Sequence, residues 1–501
     1  MRKVLLFGLS AFCLTSLCVS ATVQKDESSQ KDRSSKPELR ITGAAACHVA
    51  FAPSPKYTYH RTSTDEKSAI LKSDKHTSTT RISGGETNIA FLAKGALDNG
   101  VRYSATIDFD AMKGATGVDK MYIGAEHDKF GTFHIGNVKG PEATFLCSGQ
   151  DLIGGTLGVN GTVASDIDYA TGVIMPLYMI GYTNKATKIV WYSPRVVGFQ
   201  LGVGWTPDTK HVGNSLRSRR SGDSSIGYEP GIYVKGTSDE RPSGKNSISI
   251  GLNHKWEFSN GFRTQVAAVY LMEESRAVRL GVDGSNESTD KKISLHNTRA
   301  YHLTATVGYQ NWAVGVGYLN SGKSRLPKNY NDFYGAATNV TDPKSVQAPV
   351  HFLSLPGANA GSAWNVGVQY KYHDWTFATV FHQTQRRVTK DQKTKGNMLT
   401  FSTDYKVCDG LVLFAEFDNI RSKSCAAACD MRNRSEEKVK ADGTGAGKTG
   451  GLAVETEFDD ATGTAADQAN AANAAAAAAV KNVAIGKQTC QLFVVGVKVS
   501  F

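Results

Sequence analysis

Cys490-Gln491-Leu492-Phe493-Val494-Val495-Gly496-Val497-Lys498-Val499-Ser500-Phe501 closes the sequence. On an extended chain, successive side chains point to opposite sides. Phe493, Val495, Val497, Val499 and Phe501 therefore make one apolar face, and Leu492, Val494, Gly496, Lys498 and Ser500 make another of small and charged groups. A strand with lipid on one side and water on the other requires such a pair of faces. A soluble sandwich also alternates, so the number and spacing of strands must decide between them.

The alternation recurs along the chain. Phe199, Leu201, Val203 and Trp205 form one apolar face, and Trp312, Val314, Val316 and Tyr318 a second. Trp375, Phe377, Thr379 and Phe381 form a third, and Leu411, Leu413, Ala415 and Phe417 a fourth. Several begin or end on Trp or Tyr, where aromatic rings favour a lipid–water boundary. Short turn signals separate pairs of such runs: Leu97-Asp98-Asn99-Gly100, Asp128-Lys129-Phe130-Gly131, Ser259-Asn260-Gly261, Gln310-Asn311, His373-Asp374 and Cys408-Asp409-Gly410.

The pattern predicts strands over 38–52, 84–97, 101–111, 118–127, 131–138, 186–194, 198–206, 245–257, 262–273, 298–309, 312–321, 363–372, 375–386, 396–407, 410–421 and 489–501. That is sixteen, an even number, with tight turns after even-numbered strands and long connections after odd-numbered ones. Placing every long loop at one end is what a membrane barrel does and a sandwich has no reason to do. The expected fold is all-β: a transmembrane antiparallel β-barrel of about sixteen strands.

The start of the chain agrees. A basic Met1-Arg2-Lys3, an apolar run from Val4 to Val19 and small residues at Val19-Ser20-Ala21 predict a cleavable secretory signal over 1–21. Residues 22–37 read as a flexible polar leader, and 38–501 as the barrel. Mean hydropathy is −0.30, and no apolar stretch after the signal reaches the roughly 18 residues of a membrane helix. Barrel strands need only about 10 residues each, with one polar face.

Net charge is +11, or +9 once Arg2 and Lys3 leave with the signal. Much of it sits in polar loops such as Arg217-Ser218-Arg219-Arg220, which reads first as a solvated surface and second as attraction for anions. Six of the eight cysteines follow the signal: Cys47, Cys147, Cys408, Cys425, Cys429 and Cys490. Cys425 and Cys429 are close enough to pair within one loop; the other pairings are not readable. With no His or second close Cys pair beside them, no metal site is expected.

Several short pieces, in order, carry a family resemblance. Thr187-Lys188-Ile189-Val190-Trp191-Tyr192-Ser193-Pro194 through Gly198-Phe199-Gln200-Leu201-Gly202-Val203-Gly204-Trp205-Thr206-Pro207 resembles the middle hairpin of Gram-negative general porins. Leu97-Asp98-Asn99-Gly100-Val101-Arg102-Tyr103 resembles their second-to-third strand turn, and Phe130-Gly131-Thr132-Phe133-His134-Ile135-Gly136 the strand before their constriction loop. Phe501 resembles their barrel-assembly signal. The resemblance implies a sixteen-stranded barrel in the outer membrane, inserted by barrel-assembly machinery, usually homotrimeric, and passing small hydrophilic solutes. No cofactor and no nucleic-acid partner is implied. The chain departs from the family in a larger last loop, 422–488, with an Ala-rich run from Ala465 to Ala484.

Segment 138–185 is too long for an ordinary connection. The resemblance implies that it folds into the barrel as the constriction loop, with its acids Glu142, Asp151, Asp166 and Asp168 opposite basic side chains on the wall. Candidate pore-wall cations are Lys94, Arg102, Lys188, Arg263, Arg299, Lys371 and Lys498. Glu416 and Asp418 face the lumen by alternation and temper any preference for anions. The leading reading is a passive diffusion pore. A second is a barrel that anchors long surface loops for adhesion or partner binding. No Ser/His or Asp/His spacing points to a nucleophile, so catalysis is not expected; His302 and His382 read as wall residues.

Overall fold

A computed structural model of the chain describes residues 37–53, 56–60, 70–73, 79–84, 87–110, 117–155, 183, 185–209, 244–276, 278–280, 291–326, 328, 359–387, 393–425 and 485–501. The signal 1–21, nearly all of the leader and the Ala-rich run lie outside the described residues.

Sixteen strands make the wall: β1 Glu38–Ala52, β2 Asn88–Ala96, β3 Arg102–Asp110, β4 Gly117–His127, β5 Gly131–Asn137, β6 Thr187–Tyr192, β7 Phe199–Asp208 and β8 Gly244–Glu257, then β9 Phe262–Ser275, β10 Thr298–Tyr309, β11 Trp312–Gly322, β12 Asn359–Tyr372, β13 Trp375–Arg387, β14 Lys393–Cys408, β15 Leu411–Cys425 and β16 Ile485–Ser500. Three short pieces of the β1–β2 connection bring the sheet to 19 strands: Lys56–His60 pairs with β16, Ile70–Ser73 with Lys56–His60, and Thr79–Gly84 with β1. A small hairpin, Val278–Leu280 with Lys291–Ile293, stands apart in the β9–β10 connection.

Each wall strand pairs antiparallel with the next. β16 returns to β1, with Ala44 opposite Ser500 and Phe51 opposite Phe493, so the sheet closes. Closure leaves no edge within the lipid, where an unpaired N–H or C=O would cost several kcal/mol. Among the described residues no helix is long and apolar enough to cross a membrane.

The predicted turns are where the chain reverses, and each holds a residue with positive φ: Gly100, Gly131, Gly261, Gln310, His373 and Gly410. At Gly131 no other residue fits, because an added Cβ would lie 2.0 Å from the Tyr192 carbonyl oxygen.

The faces alternate as the period of two demands. Trp312, Val314, Val316 and Tyr318 on β11 are exposed outward, while Leu319 on the other face is buried. On β16, Phe493, Val495 and Val499 are exposed, and Cys490, Leu492 and Val494 are buried. Those buried residues differ from the open lumen face read from the sequence. They pack with Ala50, Ala52, Met398, Phe414 and Ile420, and Leu146 of the β5–β6 connection lies against them. This sector of the inner wall is apolar and covered. Elsewhere buried inward positions are largely polar: His48, Ser247, Ser249, Asn253, His302, Thr304, Asn365, His382 and Thr400.

The chain end sits at the closing seam. The Phe501 N–H donates to the Gly43 carbonyl at 3.0 Å, and the Gly43 N–H to the Phe501 carbonyl at 2.9 Å. A Cβ on Gly43 would lie 2.6 Å from the Phe501 ring and 2.8 Å from the Asn88 carbonyl oxygen. Gly43→Leu is therefore expected to destabilise the barrel by about 1–3 kcal/mol. The measurement is the temperature at which the folded band is lost in heat-modifiability gels, with Ala45→Leu on the neighbouring outward position expected to leave it unchanged.

Candidate functional site

The site is built around the β5–β6 connection, which turns inward. A short helix, α1 (Pro141–Thr144), contacts β7, β8 and β9; a single 3₁₀ turn, Gly149–Leu152, contacts β11, β12 and β13. The described part of the segment thus runs along the inner surface across more than half of the strands from β7 to β15.

Glycines on the wall make room for it. Added Cβ atoms on Gly202 and Gly251 would meet the Phe145 ring at 2.9 and 2.8 Å. Further along, a Cβ on Gly315 would lie 2.8 Å from the Gly149 nitrogen, and one on Gly367 2.6 Å from the Gly149 oxygen. The loop backbone rests on wall backbone at these two windows. Hydrogen bonds fix the register: the Gln150 N–H donates to Asn365 Oδ1 at 3.2 Å, Thr306 Oγ1 to the Cys147 carbonyl at 2.6 Å, and Gln369 Nε2 to the Leu152 carbonyl at 2.6 Å. Cys147 Sγ lies 3.1 Å from Thr304 Oγ1, and burial pushes its thiol up. At the far end Gly154 is against the Asp404 carboxylate, which accepts from the Gly155 N–H.

The two ends of the insertion are tied together. Glu142 on α1 accepts from Lys188 Nζ on β6 at 3.2 Å and from the Thr183 hydroxyl; Lys188 Nζ also lies 2.9 Å from Thr183 Oγ1. Both charged side chains are 1% exposed. Lys185 on the returning limb pairs with Asp119 of β4, and beside it Lys120 pairs with Asp108 at 2.8 Å. Burial pushes the Glu142 carboxyl up, but the Lys188 ammonium and the hydroxyls of Thr183 and Ser249 outweigh it, so the group ends below its ordinary value.

The sequence-predicted residues therefore separate. Glu142 and Lys188 meet each other, in the seam between loop and wall, where their charges offset and neither faces open water. Asp151 is exposed at the 3₁₀ turn, and its carboxylate accepts from Ser148 N–H and Oγ at 2.5 and 2.9 Å. Asp166 and Asp168 lie outside the described residues. Lys94, Arg102, Arg263, Lys371 and Lys498 all take inward positions within a few residues of a tight turn or the chain end. Arg102 is engaged by Glu126 at 2.8 Å and Asp128 at 2.6 Å, and Arg263 donates to the Gln310 carbonyl. Lys94 stands opposite Glu38 and near its charge, and Lys498 lies near Asp404.

Arg299 is a correction. It shares its face with Tyr301 and Leu303, which are exposed, while Thr298, Ala300 and His302 point inward and are buried. Charge does not fix facing at the rim of a barrel, because the outward row leaves the hydrocarbon there. Glu416 and Asp418 do point inward but are buried, with Asp418 accepting from Thr400 Oγ1 at 2.6 Å. His302 and His382 are buried on the inner wall. Cys47, Cys147, Cys408 and Cys490 are free thiols; Cys429 lies outside the described residues. Sequence reasoning missed the wall glycines and Asp404, although glycines spaced by two, as in Gly202/Gly204 and Gly315/Gly317, were a visible signal of one face kept bare.

A sequence model of the family described as Gram-negative porin matches residues 10–424. An uncharacterised protein of Rickettsia prowazekii (strain Madrid E) is 25% identical over 256 residues, covering 48% of this chain and 52% of the relative. The chain thus spans about half the length of that relative. Among solved structures, an anion-selective porin from Comamonas acidovorans covers 93% of this chain and 100% of its own, at 9% identity and a TM-score of 0.46. OmpT of Vibrio cholerae in its trimer form covers 93% and 99%, at 10% identity and a TM-score of 0.46.

Removing Lys188 leaves the Glu142 carboxylate buried without its cation, a change that costs about 3–5 kcal/mol in comparable buried pairs. Lys188→Met is expected to loosen the loop, read as noisier and larger single-channel steps in planar bilayers while the folded band persists. The pH dependence follows from the direction of the Glu142 shift. A carboxyl with a lowered folded value contributes stability above its unfolded value of 4.5 and loses it as pH falls through the folded one. Loop seating should be constant from neutral pH down to about 4.5 and fail only in stronger acid, measured as protease access to the 138–185 segment; Glu142→Gln should remove that acid step.

Proposed function

The chain belongs to the Gram-negative porin family and is an outer-membrane β-barrel, and on that footing we propose that it passes small hydrophilic solutes and ions by passive diffusion, with a weak preference for anions. The observation that carries this reading is the segment laid along a largely polar inner wall. Such a segment narrows a lumen without closing the sheet across it. Passage then needs neither a chemical step nor a cofactor, only a water-filled path whose width and fixed charges sort solutes.

The charge balance supports the anion side. Glu142 is offset by Lys188, and Glu416 and Asp418 are buried away from water. Lys94, Arg263, Lys371 and Lys498 are exposed on the inner face near the tight-turn end. The loop's described exposed acid is Asp151. On this reading loop 138–185 acts as the constriction, Asp151 is its exposed acid, and those four cations are the pore-wall charges. Asp166 and Asp168 are the remaining acids assigned to the same loop. Fixed cations along a narrow aqueous path raise the local anion concentration.

Assembly follows the same physics. The outward rows of β1 and β16 expose Leu39, Ile41, Val49, Phe51, Phe493 and Val495, an apolar face suited to a homotrimer contact within lipid. The exposed aromatic ring of Phe501 at the tight-turn end suits recognition by barrel-assembly machinery.

The test is the reversal potential of the reconstituted chain in a salt gradient. A potential on the anion side is expected. The fourfold replacement Lys94→Gln, Arg263→Gln, Lys371→Gln and Lys498→Gln should move the permeability ratio toward cations by roughly twofold or more. Strong cation selectivity of the unaltered chain would contradict the charge assignment, and absence of conductance would contradict the pore.

A further inference from the structure

The outer face carries a second pattern at the long-loop ends of β13 to β16. Phe401, Phe417 and Phe493 are register partners across three strands, with ring centroids 6.3 and 4.7 Å apart. The next outward pair, Phe381 and Leu399, tops the apolar band in this sector. Amides come next: the Gln383 side chain donates to Asn397 Oδ1 at 2.8 Å and accepts from the Trp364 indole at 2.9 Å. Asn419 and Gln491 occupy the adjoining outward positions.

Above the amides stand cations. Arg387, Lys393, Lys395 and Arg421 are all exposed, and they share the faces of Phe377, Phe401 and Leu413, while His382, Met398 and Ile420 point inward. The register sets like charge against like. Arg387 is opposite Lys393. Like charges directly opposed destabilise a sheet. No Asp or Glu takes an outward position on these four strands, and among the described residues none of the four exposed cations makes an ion pair.

Arg421 is four residues beyond Phe417, about 13 Å along the strand. An outward apolar band about 25 Å tall then gives way to headgroups, so the cations stand at headgroup depth. We infer that this patch seats the phosphate groups of anionic membrane lipids. Phosphates between the opposed cations relieve their repulsion, and an arginine fork matches phosphate oxygens in bidentate fashion. Each cation near a charged membrane surface adds to the attraction, which falls with salt. The inference rests on the outer-membrane reading, because it needs lipid against the outer wall, but not on which solutes pass through the lumen.

The experiment uses the full chain in nanodiscs of phosphatidylglycerol mixed equally with phosphatidylcholine, with retained lipids counted by native mass spectrometry. The unaltered chain is expected to retain phosphatidylglycerol preferentially, the more so at low salt. The fourfold variant Arg387→Gln, Lys393→Gln, Lys395→Gln and Arg421→Gln should cut that preference at least tenfold, and Lys395→Gln with Arg421→Gln alone should cut it partway. Unchanged single-channel conductance reports that each variant is folded, since the patch lies outside the lumen. Equal retention of the two lipids by the unaltered chain would overturn the inference, as would undiminished preference in a conducting variant. Patch-dependent capture by heparin without lipid preference would overturn it too, by naming a soluble acidic polymer as the occupant. Absence of conductance with the lipid preference intact would instead count against the pore.

Discussion

A backbone that enters lipid must satisfy every N–H and C=O within itself, and in this chain that constraint is met by closing the sheet. The pairing of β16 with β1 is the step on which the rest depends. Once the ring is closed, each strand has a fixed inside and outside, and the period of two distributes side chains without further instruction. The outward rows become Trp, Tyr, Phe, Val and Leu because their neighbour is hydrocarbon. The inward rows become Ser, Thr, Asn and His because theirs is water, the inserted loop or each other.

Closure makes a tube, and the inserted loop occupies part of its interior. Its seat depends on absence of side chains as much as on contacts. Gly315 and Gly367 allow the Gly149 backbone to lie directly on the wall, and Gly202 and Gly251 receive the Phe145 ring. The Glu142–Lys188 pair then pins the outgoing limb to the returning one. A buried pair of this kind is weak as net stabilisation, but leaving either charge alone is costly, so it acts as a lock on one arrangement. Both charges are thereby withdrawn from open water, each 1% exposed.

How much of this was legible in the sequence follows from the range of each interaction. Strand positions depend on neighbouring residues, through alternation and turn chemistry, and all sixteen were readable. Lys94, Arg102, Arg263, Lys371 and Lys498 take inward positions because the period of two, once the strands are placed, fixes which side each residue faces. Arg299 was misread because at a rim both faces are wet. Glu142 and Lys188 were both singled out, but their partnership spans 46 positions and appears only once the loop has folded inward. The apolar patch of Leu492, Val494 and Met398 was unreadable for the same reason: covering is a property of what packs on a strand, not of the strand.

The central claim is that alternate residues of one strand meet hydrocarbon and water. Spin labels placed singly at positions 103 to 107 of β3 in the bilayer-reconstituted chain test it most directly, by accessibility to oxygen and to a water-soluble nickel complex. Labels at Tyr103, Ala105 and Ile107 should favour oxygen, and those at Ser104 and Thr106 the nickel complex, with a period of two. Uniform protection from both reagents, or an accessibility that does not alternate, would contradict the account.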